Sequence, residues 1–136
     1  MMALDPIALG LPHRAPFVFV DEVTELNAGE SAIGRKVFAA DEPFFSGHFP
    51  GDPLVPGVIL TEALAQMAGI AAGQAERSFR LTAIKAMKFL AAVRPDEVVI
   101  LQARKLGAVG GLWQFEVRAT VGDATVAEGA VVLSEA

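Results

Sequence analysis

Hydrophobic and polar positions divide the chain into three kinds of stretch. Residues 17–26 are rich in Phe and Val and read as a strand. Asn27-Ala28-Gly29 supplies a turn, and residues 31–38 return as a second strand, a hairpin. Upstream, residues 4–9 fit a short helical turn ended by Gly10 and Pro12. Residues 57–77 have no proline and are apolar nearly all round, which predicts one long helix surrounded by other structure. Its many small residues (Ala63, Ala65, Ala68, Gly69) permit close approach of a neighbour. Beyond residue 81 the period changes. Trp113, Phe115, Val117, Ala119 and Val121 alternate with Gln114, Glu116, Arg118 and Thr120, a strand with one buried and one wet face. Residues 81–90, 97–106 and 125–133 are the other predicted strands. An antiparallel sheet curled around one buried helix is the economical arrangement, and a second copy would cover its edges.

Residues 39–56 interrupt this pattern with Pro43, Pro50, Pro53 and Pro56. Proline fixes φ, so the segment is a stiff, ordered loop. It carries His48, one of two histidines in the chain.

Composition narrows the classes. At 136 residues the chain is expected to be a single domain, 1–136. It is 53% hydrophobic, more than a small domain easily hides, which predicts self-association. A net charge of −5 argues against nucleic acid as a partner. The absence of cysteine excludes thiol catalysis, disulfides and thiolate metal sites. The start lacks a basic signal-peptide region, and Glu62 and Gln66 interrupt the apolar stretch, so neither export nor a membrane span is expected. The location expected is cytoplasmic.

Glu62 is the chemically conspicuous residue, a carboxylate inside an apolar helix. The helix starts after Pro56, so the amides of Gly57 and Val58 lack helical acceptors and sit at the positive end of the dipole, suited to a developing oxyanion. Five residues of helix rise about 7.5 Å, and helical side chains lean toward the N-terminus, so Glu62 reaches back toward those amides. His48 comes from the loop of the same chain or of a second copy. Base, acid and oxyanion donors together suit removal of a proton next to a carbonyl and loss of a leaving group from the β carbon. Taken singly, each residue has a plainer reading: Glu62 as an anchor for backbone amides, His48 as a turn residue.

Three segments carry a resemblance. They are Leu11-Pro-His-Arg-Ala-Pro-Phe17 with Phe19-Val-Asp-Glu-Val23, Glu42-Pro-Phe-Phe-Ser-Gly-His-Phe-Pro-Gly51 through Pro56-Gly-Val58, and Glu62-Ala-Leu-Ala-Gln66. Together they resemble the β-hydroxyacyl-acyl carrier protein dehydratases of the FabZ type, over almost the whole chain. The resemblance implies an α+β hot-dog fold and syn elimination of water from a (3R)-hydroxyacyl thioester to a trans-2-enoyl thioester in fatty acid or related acyl biosynthesis. It implies that His48 and Glu62 are catalytic, that the Gly57 N–H polarises the thioester carbonyl, and that Gln66 supports Glu62. It further implies a homodimer, or a trimer of dimers, with His48 and Glu62 of one site on different subunits, and no metal or redox cofactor. Glutamate at 62, where isomerising relatives have aspartate, favours dehydration without isomerisation.

His13 is read as structural, and Arg14 and Asp21 as an ion pair or turn partners. Of the phenylalanines, Phe49 and Phe89 are the best candidates for an acyl tunnel, whereas Phe17, Phe44 and Phe45 suit the core. Arg77, Arg80, Lys85, Lys88 and Arg94 are candidates to dock an acidic carrier. Leu90 and Ala91 stand where the family has arginines, and the chain has no tyrosine to gate a tunnel. The acyl carrier is therefore either a carrier protein or coenzyme A. Two rival functions are a hot-dog thioesterase, with Glu62 activating water, and a non-catalytic acyl-binding subunit.

Overall fold

A computed structural model describes residues 3–74 and 77–136. Six strands form one antiparallel sheet: β1 (Glu22–Asn27), β2 (Ser31–Val37), β3 (Phe79–Phe89), β4 (Val98–Val109), β5 (Leu112–Val121) and β6 (Ala124–Glu135). Their spatial order is β1-β2-β4-β5-β6-β3. The helix α1 (Gly57–Ala72) packs against β2, β4, β5, β6 and β3. The sheet therefore curls around it, as the hydrophobic pattern predicts.

Period two holds where it is clearest. In β5, Phe115, Val117 and Ala119 are buried against the helix side, while Glu116 and Arg118 are exposed. Each buried Val or Phe contributes about 1.5–3 kcal/mol relative to exposure. On the helix, twelve of sixteen residues are buried, and the other four are Gly57, Val58, Ile59 and Glu62. The helix is thus sheathed by the sheet except over its first turn and a half, where its predicted chemistry lies.

Several boundaries differ from those expected. The first strand begins at Glu22, not residue 17. The amide of Phe19 and the carbonyl of Phe17 bond to the Gln66 side chain instead of a neighbouring strand. Within the expected helical turn at 4–9, Leu4 instead bridges to Val23, and the turns run over residues 6–10. The helix stops at Ala72, because Gly73 adopts φ 89° and donates its N–H to the Ile70 carbonyl. Residues 75–76 of the predicted helix lie outside the described residues. No helix is long and apolar enough to cross a membrane, among the described residues.

The two sheet edges are unlike each other. The Leu4 bridge covers part of β1. Among the described residues the eleven-residue β3 pairs only with β6 and leaves its other edge open, with Leu81, Ile84 and Phe89 each at least 40% exposed. A long apolar open edge is a surface that invites another strand.

Candidate active site

His48 sits in a loop that is pinned at several points. Pro43–Ser46 make a short 3-10 turn whose Phe45 enters the core. Beyond it, the amides and carbonyls of Phe49 and Asp52 bond to each other, Leu54 N–H donates to the His48 carbonyl, and Val55 N–H donates to the Val93 carbonyl. The His48–Phe49 peptide is cis, and the two rings stack with centroids 4.0 Å apart. Nδ1 of His48 lies 3.0 Å from the Leu54 carbonyl oxygen. A carbonyl can only accept, so Nδ1 carries the hydrogen, and in the neutral ring this leaves the lone pair on Nε2. The imidazole lines a cavity of about 330 Å3 with Gly57, Leu60, Phe89, Leu90 and Val93. That cavity is apolar apart from the histidine and opens to solvent past the half-exposed Phe89 and Leu90.

The N-terminus of α1 borders the same cavity through Gly57. The amides of Ile59 and Leu60 both donate to the Pro56 carbonyl, whereas those of Gly57 and Val58 find no acceptor among the described residues. A side chain at Gly57 would press on the Phe89 ring, with a Cβ only 3.0–3.2 Å from its carbons. Glycine there lets the backbone approach the cavity. Val58 itself is 76% exposed and does not line the cavity.

Glu62 faces elsewhere. With His13, Gln66, Gln74, Phe79 and Arg80 it lines a second, more polar cavity of about 630 Å3. Its side chain is 20% exposed rather than fully buried. Gln66 is almost wholly buried and holds it: Nε2 donates to Glu62 Oε2 at 3.0 Å and to the Phe17 carbonyl at 3.0 Å, and Oε1 accepts from the Phe19 amide at 2.9 Å. Within one chain, His48 and Glu62 therefore line different cavities and share no hydrogen bond. The two cavities border opposite ends of β3: Phe79, Arg80 and Leu81 at its start, Phe89 and Leu90 at its end.

Other expected residues fall into place or out of it. Phe89 walls the His48 cavity, and Phe49 packs on the His48 ring instead of lining the cavity. Phe45 is core, Phe44 packs against the core, and Phe17 is half-exposed beside His13. The cationic candidates do not act as one free patch. Arg77 pairs with Glu135 at 2.8 Å and lies over Trp113. Arg94 pairs with Asp52 at 2.8 Å. That hydrogen bond first, and the Asp52 charge second, raise the pKa of its guanidinium. Lys85 and Lys88 line separate grooves on the outer sheet, and Arg80 borders the Glu62 cavity. Asp21 and Arg14 are structural but are not partners. Asp21 pairs with Lys36 and accepts from the Val37 amide, and Arg14 donates to the Leu11 and His13 carbonyls. Sequence reasoning missed the approach of His13 to Glu62, 3.5 Å from Nε2 to Oε2. Nothing local in the sequence signals it.

Comparison with known proteins gives the family and the fold. Residues 11–130 match the FabA-like domain. The chain is 43% identical over 125 residues to the 3-hydroxyacyl-[acyl-carrier-protein] dehydratase FabZ of Ruminiclostridium cellulolyticum, covering 89% of this chain and 88% of that one. It is 36% identical over 138 residues to the enzyme of the same name from Chloroflexus aggregans, covering 98% and 96%. In structure it superposes on the dehydratase heterocomplex ApeI:P of Xenorhabdus doucetiae with a TM-score of 0.80 at 19% identity, covering 96% of this chain and 91% of that one. A hypothetical thioesterase of Streptococcus pneumoniae, solved with coenzyme A, superposes at 0.69 and 11% identity, covering 85% and 84%; at that identity the likeness is one of fold. The hot-dog fold and these near full-length matches agree, and the chain belongs to the FabZ-type 3-hydroxyacyl-[acyl-carrier-protein] dehydratase family.

Proposed function

We propose that the protein is a hydro-lyase that converts a (3R)-hydroxyacyl thioester on acyl carrier protein into the trans-2-enoyl thioester and water. Its active unit is a dimer in which each site takes His48 from one subunit and Glu62 from the other. One observation carries this reading: the two half-sites lie at opposite ends of the open strand β3. Antiparallel pairing of two β3 edges sets the start of one strand against the end of the other. The Glu62 cavity of each subunit would then meet the His48 cavity of its partner, twice, as two-fold symmetry requires.

In the joined site the free amides at the start of α1 receive the thioester oxygen as it gains negative charge. Nε2 of His48 takes a proton from the α carbon. The electron pair left there forms the double bond, and the β hydroxyl leaves with a proton from the Glu62 carboxyl as water. Proton return from His48 to Glu62 through solvent resets the pair. Glutamate at 62 fits elimination that ends at the 2-enoyl product.

Incubation with a 3-hydroxyacyl thioester on carrier protein tests the reaction. Growth of conjugated enoyl absorbance is expected, and His48→Ala or Glu62→Gln should lower its rate at least about 100-fold. Release of free thiol without enoyl product would instead indicate hydrolysis. Mixing the two inactive variants under subunit exchange should restore part of the activity, because one site of each mixed dimer is intact. No recovery despite proven exchange would place both residues of a site in one chain.

A further inference from the structure

Glu62 is held on one side only. Gln66 Nε2 donates to Oε2, and His13 Nε2 lies 3.5 Å from the same Oε2. Oε1 has no partner among the described residues and is absent from their buried unpaired atoms, so it is open to the cavity that Glu62 lines. The His13 ring is itself fixed. Arg14 clamps the Leu11 and His13 carbonyls at 2.8 and 2.7 Å, and the imidazole stacks on Phe17 with centroids 6.0 Å apart. Phe17 in turn gives its carbonyl to Gln66. Nδ1 of His13 is buried without a partner. A hydrogen there would be a buried donor lacking an acceptor, so the favoured tautomer carries its hydrogen on Nε2, facing Glu62. At 3.5 Å the contact is long for a hydrogen bond and acts as an electrostatic restraint on Oε2.

We infer that His13 is a positioning residue: together with Gln66 it pins Oε2 of Glu62 and so presents Oε1 to the substrate hydroxyl. This role rests on the dehydratase reading above. A group displaced by about 1 Å can lose on the order of 100-fold in rate. His13→Ala is therefore expected to lower kcat by about 10- to 100-fold with KM changed less than twofold. His13→Gln, which places an amide donor near the original Nε2, should recover most of that loss. Acting through Glu62 alone, His13→Ala should cost nothing further when added to Glu62→Gln. An unchanged kcat in His13→Ala overturns the assignment, as does an equal extra loss in the Glu62→Gln background. No recovery in a His13→Gln protein that unfolds at the wild-type urea concentration overturns it too. Failure of the parent reading is recognised separately, since the unaltered protein would then form no enoyl product, or His48→Ala would leave its formation intact.

Discussion

Every hydrogen-bonding atom of the Gln66 amide that meets protein is used, and one side chain thereby joins the segment before β1 to the acid of the site. Replacing it with Ala leaves the buried Phe19 amide and the part-buried Phe17 carbonyl without their partner and frees Glu62. At about 1–3 kcal/mol for each lost partner, Gln66→Ala should destabilise the fold by about 2–4 kcal/mol, read as a lower urea midpoint. The same variant should reduce kcat by at least about tenfold. At this scale the sequence was legible where a residue contradicts its surroundings. Glu62 and Gln66 are polar positions in an apolar helix, and both reach the cavity wall or its support. His13 was illegible because its contact depends on how the chain crosses α1, and its own neighbours show no periodic signal.

Among the elements, β5 was legible because its period is unbroken and α1 because a proline-free run apolar on every side must be buried, whereas the first strand and the end of α1 were overextended. Residues 17–20 are as apolar as a strand, yet their backbone groups are satisfied by a side chain, which periodicity cannot reveal. Irregularity in β3 was equally hidden. Its pairing with β6 slips between Lys85 and Lys88, where Ala86 takes φ 50°. Gly129 of β6 lies beneath that bulge, and a Cβ there would stand 2.8 Å from the Met87 Cα and 3.1 Å from the Lys85 carbonyl oxygen. Backbone cannot swing aside as a side-chain tip can. Gly129→Ala should cost about 1–3 kcal/mol, visible as a lower thermal midpoint. Gly107→Ala, at a glycine with open space around its Cβ position, is the control expected to cost less.

For the whole molecule, the hydropathy of the sequence pointed to association but could not say which surface associates. The topology names β3, the long edge that no segment of its own chain covers among the described residues. Light scattering should give at least twice the chain mass of 14.3 kDa. Because each site would need two subunits, specific activity should fall on dilution below the dimer dissociation constant. A monomer that retains full specific activity at all dilutions would contradict the shared site. Ionic strength is a second reading at this scale. Arg77 and Arg94 are each committed to a carboxylate, and the His48 cavity has an apolar wall. On the proposed carrier-dependent reaction, screening by salt would act through Arg80, Lys85 and Lys88, which have no ion pair among the described residues.

Trp113, the one tryptophan of the chain, lies under two cations, Arg77 and Lys105, each about 5 Å from its ring. Its indole N–H donates to Glu135, and its ring meets Phe79 edge-on. Phe79 also borders the Glu62 cavity. The protein thus carries a built-in fluorophore behind one wall of the cavity that its acid lines, in a charged cage that disperses when the chain unfolds. Emission at a single wavelength can follow the strand that opens the edge, the wall beside the carboxylate and the integrity of the sheet, with no label attached.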